Sequence, residues 1–167
     1  MQSVTALVSW LQALPLAVFI HRTKWAFTAV QLLHAGAVSV VVGSIAIVDL
    51  RLAGLAFRRR PFTELARALL PWTWAAFVVA VLAGSLLFIS QASDYFANTL
   101  FRVKMLVLLL AGINMLIFET MTVRGVQKWD LAPAPPFQAR LAGIISLLCW
   151  ATIIVLGRWV SFSMLPE

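Results

Sequence analysis

His34, Lys104 and Arg158 are the residues whose type and setting could carry chemistry in this chain. Each lies inside a long apolar run or near its end, where a charged side chain costs about 2.5–3.5 kcal/mol to insert and therefore has to be satisfied or used. Three bases with no carboxylate at comparable depth suit an anionic or oxygen-bearing group, such as a haem propionate or a quinone oxygen. Neutral imidazole is a standard axial ligand of haem iron, and a helical bundle can hold a b-type haem between its helices. His34 is thus the candidate metal ligand, and His34, Lys104 and Arg158 together are the candidate cofactor-binding set. A second histidine ligand would have to be His21, roughly 20 Å away if the intervening chain is helical, so Met105 and Met115 are the other candidates for a sixth ligand. Two readings of His34 stay open: iron ligand, or a packing histidine that gives one hydrogen bond to a neighbouring carbonyl. For Lys104 and Arg158 the alternative is snorkelling, with the charged tip reaching the headgroups.

A second group gathers at the opposite depth: Asp49, Arg51, Arg67 and Glu119. Asp49 and Arg51 are two residues apart, so on a helix they point to different faces and need partners elsewhere. Glu119 is the expected partner of Arg51, and Asp49 with Arg67 is the next candidate pair, giving structural ion pairs at one rim. Asn114 falls in mid-run and is expected to hydrogen-bond across a helix interface or to line a polar cavity.

Long apolar segments must position these groups. Residues 25–57 form a run broken only by His34, Asp49 and Arg51, and about 20 residues at 1.5 Å each already cross the hydrocarbon. The spans are expected at about 25–52, 68–90, 101–121 and 141–163. Residues 4–20 are short for a span and contain Pro15, so they read first as an interfacial helix and second as a short fifth span. Gly36, Ser39, Gly43 and Ala46 recur on one helix face and are expected to let a neighbouring helix approach closely. Pro71 is expected in the first turn of the second span, where its missing N–H costs little. Residues 124–140, RGVQKWDLAPAPPFQAR, have the composition of an exposed linker.

Composition agrees with a single membrane domain over 1–167: 62% of the residues are hydrophobic, well outside the range of soluble domains. The fold class expected is all-α, a transmembrane four-helix bundle with an N-terminal interfacial helix. The net charge of +7 does not point to nucleic acid, because the bases fall between apolar runs, where they meet lipid headgroups and set orientation. Arg51, Arg58, Arg59, Arg60, Arg67, Arg124, Lys128 and Arg140 lie on one side, and Arg22, Lys24, Arg102, Lys104 and Arg158 on the other. The positive-inside rule makes the first side cytoplasmic and the His34 half the outer one. The first twenty residues carry no Lys or Arg, so they do not read as a secretory signal. One cysteine, Cys149, excludes a disulfide within the chain.

The segments HAGAVSVVVGSIAIVDLRLAG, ARALLPWTWAAFVVAVLAGSLLF, FRVKMLVLLLAGINMLIFE and GRW resemble an uncharacterised bacterial integral membrane family, a domain of unknown function, over nearly the whole chain. That resemblance implies a multi-pass protein of the bacterial inner membrane and names no activity. More distantly, a histidine on the first bundle helix and a lysine opening the third are similar to the CopD-like group, which includes copper-resistance proteins and haem-associated protoporphyrinogen oxidases. The likeness falls on His34 and Lys104, and the chain lacks a Met- or His-rich extracytoplasmic ligand set for copper. The leading expectation is a bundle that binds haem b or a quinone-like ligand in its outer half for redox chemistry. The alternatives are a non-catalytic membrane subunit packed against a protein partner or a second copy, and a small transporter. Whether it is an enzyme is left open by the residues.

Overall fold

The computed structural model describes residues 2–132 and 134–163, so residues 1, 133 and 164–167 of the expected 1–167 domain lie outside the described residues. Seven α-helices follow one another: α1 (Gln2–Gln12), α2 (Pro15–Arg22), α3 (Lys24–Leu52), α4 (Phe62–Ser90), α5 (Ala92–Ala97), α6 (Thr99–Ile117) and α7 (Phe137–Ser163). The described residues contain no strand. Helix α6 runs on through a π turn (Phe118–Thr122) and a 3-10 turn (Val123–Lys128). Four of these segments are long and apolar enough to cross a membrane: α3, α4, the continuous stretch Thr99–Lys128, and α7. The chain is an all-α membrane protein built on a four-helix bundle.

Local chemistry sets the boundaries. Pro15 opens α2 at a position where its missing N–H is no loss, so residues 4–20 form two short helices rather than the single one expected. Gly54, at φ 71°, ends α3 in a left-handed turn, and the Leu55 and Ala56 N–H groups both reach back to the Leu50 carbonyl. The Asn98 side chain caps α6, accepting from the N–H groups of Leu100 (2.9 Å) and Phe101 (3.2 Å). Helix α4 starts at Phe62, several residues earlier than expected, which puts Pro71 inside it instead of in its first turn. Pro71 is exposed there, on a side where its lost backbone hydrogen bond is not sealed in a core.

The main packing joins α3 to α4, α6 to α7 and α3 to α7. At the α3–α4 interface, Ala37, Val41, Ser44 and Val48 are buried on α3, and Thr73, Ala80, Ala83 and Leu87 on α4. The Ser44 and Thr73 hydroxyls meet at 2.7 Å in mid-span. Asn114 fulfils the expected cross-helix role, its amide donating to the Ala142 carbonyl of α7 at 3.0 Å. The α4 and α6 backbones make no comparable approach. Aromatic pairs close that seam toward its two ends: Phe88 stacks on Phe101 at 5.7 Å, and Phe62 meets Phe118 at 5.8 Å.

Two expectations are corrected. Gly36, Ser39 and Gly43 are exposed, and a Cβ at Gly36 or Gly43 would meet nothing within 4 Å, so this stripe faces away from the bundle. The close approach is made elsewhere, at Gly143 of α7. Residues 124–140 are not a free linker either, because Trp129 is buried and its ring packs on Phe62 at 5.4 Å.

Candidate functional site

Helix α3 places His34 against α4. Its Nδ1 lies 2.9 Å from the Ala80 carbonyl oxygen. A carbonyl only accepts, so Nδ1 carries the hydrogen and, in the neutral ring, Nε2 keeps its lone pair. Nε2 has no hydrogen-bond partner among the described residues and is not sealed in the interior. The ring lies over Gly84: a Cβ there would be 3.0 Å from Cε1 and 3.2 Å from Nδ1. Any side chain at position 84 competes with the imidazole for this space.

Lys104, near the start of α6, makes the matching arrangement against α7. Its Nζ would be 3.6 Å from a Cβ at Gly157. Each of the four spanning helices thus contributes one residue at this end of the bundle: His34, Gly84, Lys104 and Gly157. Arg158, the third member of the expected set, is exposed, and its guanidinium carbon lies 4.3 Å above the ring of Phe162, one turn along its own helix, in a local cation–π pair at the helix end.

The other sequence-derived candidates fall at the opposite end, and they do not pair as expected. Arg51 is fully buried and binds carbonyl oxygens instead of Glu119: Nε donates to Arg60 at 2.7 Å, and one terminal nitrogen donates to Asp130 at 3.0 Å and Ala132 at 3.1 Å. Glu119 and Arg67 are both exposed, so burial creates no demand for a partner at either. Asp49 is buried at the α3–α7 crossing, and its Oδ2 has no hydrogen-bond partner among the described residues. Among the described residues the one ion pair is Arg60 with Glu64, at 2.6 Å on the surface. The physical reason is topological: the loop after α3 and the connector before α7 both turn back over the end of α3 and present their carbonyls to the guanidinium.

Among the described residues, no group of three or more His, Cys, Asp or Glu side chains could hold a metal ion. A metal at His34 would therefore have to arrive with its own ligand frame, as haem iron does.

A family model described as a family of unknown function, DUF6644, matches residues 14–163. The chain belongs to this family. No curated protein and no solved structure matches it.

In this DUF6644 chain the match covers all the helices that carry His34, Gly84, Lys104 and Gly157. Reading residue types alone found the two polar members and missed the two glycines and the Ala80 carbonyl. A signal for the glycines was present, since a glycine in a helix interior costs stability and is retained where something approaches closely. Nothing in the sequence marks which backbone carbonyl will accept a histidine proton.

Proposed function

We propose that this protein binds a quinone-like redox ligand at His34 and Lys104, in the half of the bundle that faces outward from the cytoplasm of a bacterial inner membrane. The observation that carries this reading is the His34–Ala80 hydrogen bond, which fixes Nδ1 as the donor and leaves Nε2 as an acceptor at the same end of the bundle as the Lys104 ammonium. An acceptor and a strong donor together match a headgroup that alternates between carbonyl and hydroxyl. Lys104 donates to a carbonyl or phenolate oxygen, and His34 Nε2 accepts the hydroxyl proton of the reduced form. The bound group supplies the electron chemistry; the protein's residues bind it, orient it and hold one proton at Nε2. The loosely packed α4–α6 seam offers a flat ring a lateral way in from the bilayer.

Haem is the second reading, favoured by the same hydrogen bond, since ligating histidines donate their other ring nitrogen in this way. His34 would supply one axial ligand and Lys104 would hold a propionate. A sixth ligand is not at hand: His21 is exposed in the last turn of α2, Met105 is exposed, and Met115 lies about 16 Å further along α6 than Lys104. Gly36 and Gly112 are both exposed, and a Cβ at either would meet nothing within 4 Å.

Purified protein answers both readings. Ubiquinone or menaquinone titrated into detergent-solubilised protein should quench tryptophan fluorescence saturably, and His34→Ala and Lys104→Ala should each weaken the binding with helicity unchanged. A visible spectrum with a Soret band lost in His34→Ala would establish haem instead. Absence of both saturable binding and colour would remove the ligand-site reading.

A further inference from the structure

The loop between α3 and α4 has a construction that its connecting role does not require. Phe57 adopts φ 55°, in the left-handed region that a residue with a bulky side chain rarely enters. The strain does not bury the ring: Phe57 is 45% exposed and Leu55 is 65% exposed. Arg58, Arg59 and Arg60 follow directly and are all exposed. An amphipathic edge therefore stands at the rim, with apolar side chains on one part and guanidinium groups on the next.

This edge is held in place from beneath. The Gly54 carbonyl accepts from Arg58 Nε, which leaves the two terminal nitrogens of Arg58 uncommitted. The Arg60 N–H closes a turn onto the Phe57 carbonyl at 3.0 Å, and the Arg60 carbonyl accepts from the buried Arg51 at 2.7 Å. Nearby carboxylates are already engaged: Glu64 pairs with Arg60, and Asp130 accepts from the Thr63 N–H at 2.9 Å and the Thr63 hydroxyl at 2.6 Å. Arg58 and Arg59 thus have no carboxylate partner among the described residues.

We propose that loop 53–61 is a preformed binding site for the headgroup of an anionic phospholipid. Phe57 and Leu55 sit at the boundary with the acyl chains, and Arg58 and Arg59 hold the phosphate. Guanidinium groups suit phosphate through paired N–H donors, and an exposed aromatic beside them suits the interfacial zone of a bilayer and not bulk water. The occupant is a lipid and not a free anion, because two exposed apolar side chains flank the charge and a soluble phosphate would leave them in water. The site is separate from the His34–Lys104 end and does not depend on what binds there.

The experiment reconstitutes the full chain in vesicles of phosphatidylcholine mixed with phosphatidylglycerol, re-extracts it in mild detergent, and measures the retained lipids by mass spectrometry. Phosphatidylglycerol should be enriched over its bulk share in wild-type protein. The double variant Arg58→Gln, Arg59→Gln should lower that enrichment, by about fivefold for each guanidinium. Phe57→Ser should lower it as well, while Arg102→Gln at the other end should leave it unchanged. Retention at the bulk ratio in wild-type protein, or enrichment untouched by the double variant, would overturn the proposal. Complete displacement of the lipid by inorganic phosphate would also overturn it, by showing a site for the free anion. Circular dichroism on each variant separates loss of lipid from loss of fold, and Arg58→Lys with Arg59→Lys, which keeps the charge, should recover part of the enrichment if the first pair proves unstable.

Discussion

The carbonyl oxygen of Asp49 occupies the space that a side chain at Gly143 would need: a Cβ there would stand 2.8 Å from that oxygen, 2.9 Å from Leu52 Cβ and 3.1 Å from the Ala53 nitrogen. Two of these three neighbours are backbone atoms, which cannot rotate away. Gly143→Ala should therefore push α3 and α7 apart and destabilise the bundle by about 1–3 kcal/mol. Gly36→Ala and Gly112→Ala, where nothing lies within 4 Å, should be neutral or stabilising by up to about 1 kcal/mol. Unfolding titrations in mixed micelles compare the three, and an innocuous Gly143→Ala would refute the close crossing.

At His34 the obstacle would be a side chain's far end, so the outcome differs. Gly84→Ala requires the imidazole to give by a few tenths of an ångström, whereas Gly84→Val displaces it from the Ala80 carbonyl. The valine variant should weaken ligand binding about tenfold, the order expected for one positioned hydrogen bond, and leave helicity intact. Equal affinities in wild type and Gly84→Val would show that the ring's placement on Gly84 does not matter to binding.

Arg51 holds three carbonyls from two separate loops. Arg51→Met should cost about 2–4 kcal/mol, because those carbonyls lose their donor in a buried setting. Arg51→Lys should recover little, since an ammonium lacks the fork that spans Arg60, Asp130 and Ala132. Glu119→Gln should stay within about 0.5 kcal/mol, as expected for an exposed residue. A Glu119→Gln cost equal to that of Arg51→Met would restore the ion pair expected from the sequence.

Asp130 gives the rim a pH dependence. Burial works to raise its carboxyl, but hydrogen bonds from the Thr63 hydroxyl and the Thr63 backbone N–H, with the Arg51 charge, outweigh it and hold the group below the usual carboxylate range. A group depressed in the folded state contributes stability that is complete above its unfolded value and is lost as pH falls through the folded value. Wild-type protein should therefore lose stability on that acid limb, and Asp130→Asn should flatten it. Parallel acid titrations of the two proteins, with helicity as the readout, make the comparison.

The loop around Asn98 and the connector around Ala134 lie at opposite ends of the spanning helices. With the Arg58–Arg60 loop in the cytoplasm, reporter fusions at Asn98 and Ala134 should give opposite signals, the Ala134 fusion reporting the cytoplasm. Matching signals from the two sites would break the four-span topology.

The four membrane-capable helices and the absence of strands among the described residues were determined by the sequence, because partition between water and hydrocarbon depends on side-chain type and run length, and both are visible in one dimension. The cross-helix bond of Asn114 was legible for the same reason: a lone amide in an apolar run has to find a partner. Only the tertiary structure decided what the partners are. Arg51 could be seen to need acceptors, but a carbonyl accepts from a guanidinium as a carboxylate does, and the carbonyls delivered by the two loops, which engage Nε and one terminal nitrogen and leave the other without a partner among the described residues, come from distant stretches of chain. Glycines pose the same problem. Gly36 and Gly143 both sit in apolar helical stretches, yet one faces outward and the other takes the backbone of α3, because a missing side chain permits a close approach without creating one. His34 and Lys104 were visible as two polar residues at similar depth, whereas the contact of Arg158 with Phe162 was decided by the side-chain placement at the end of α7, one turn apart on the same helix.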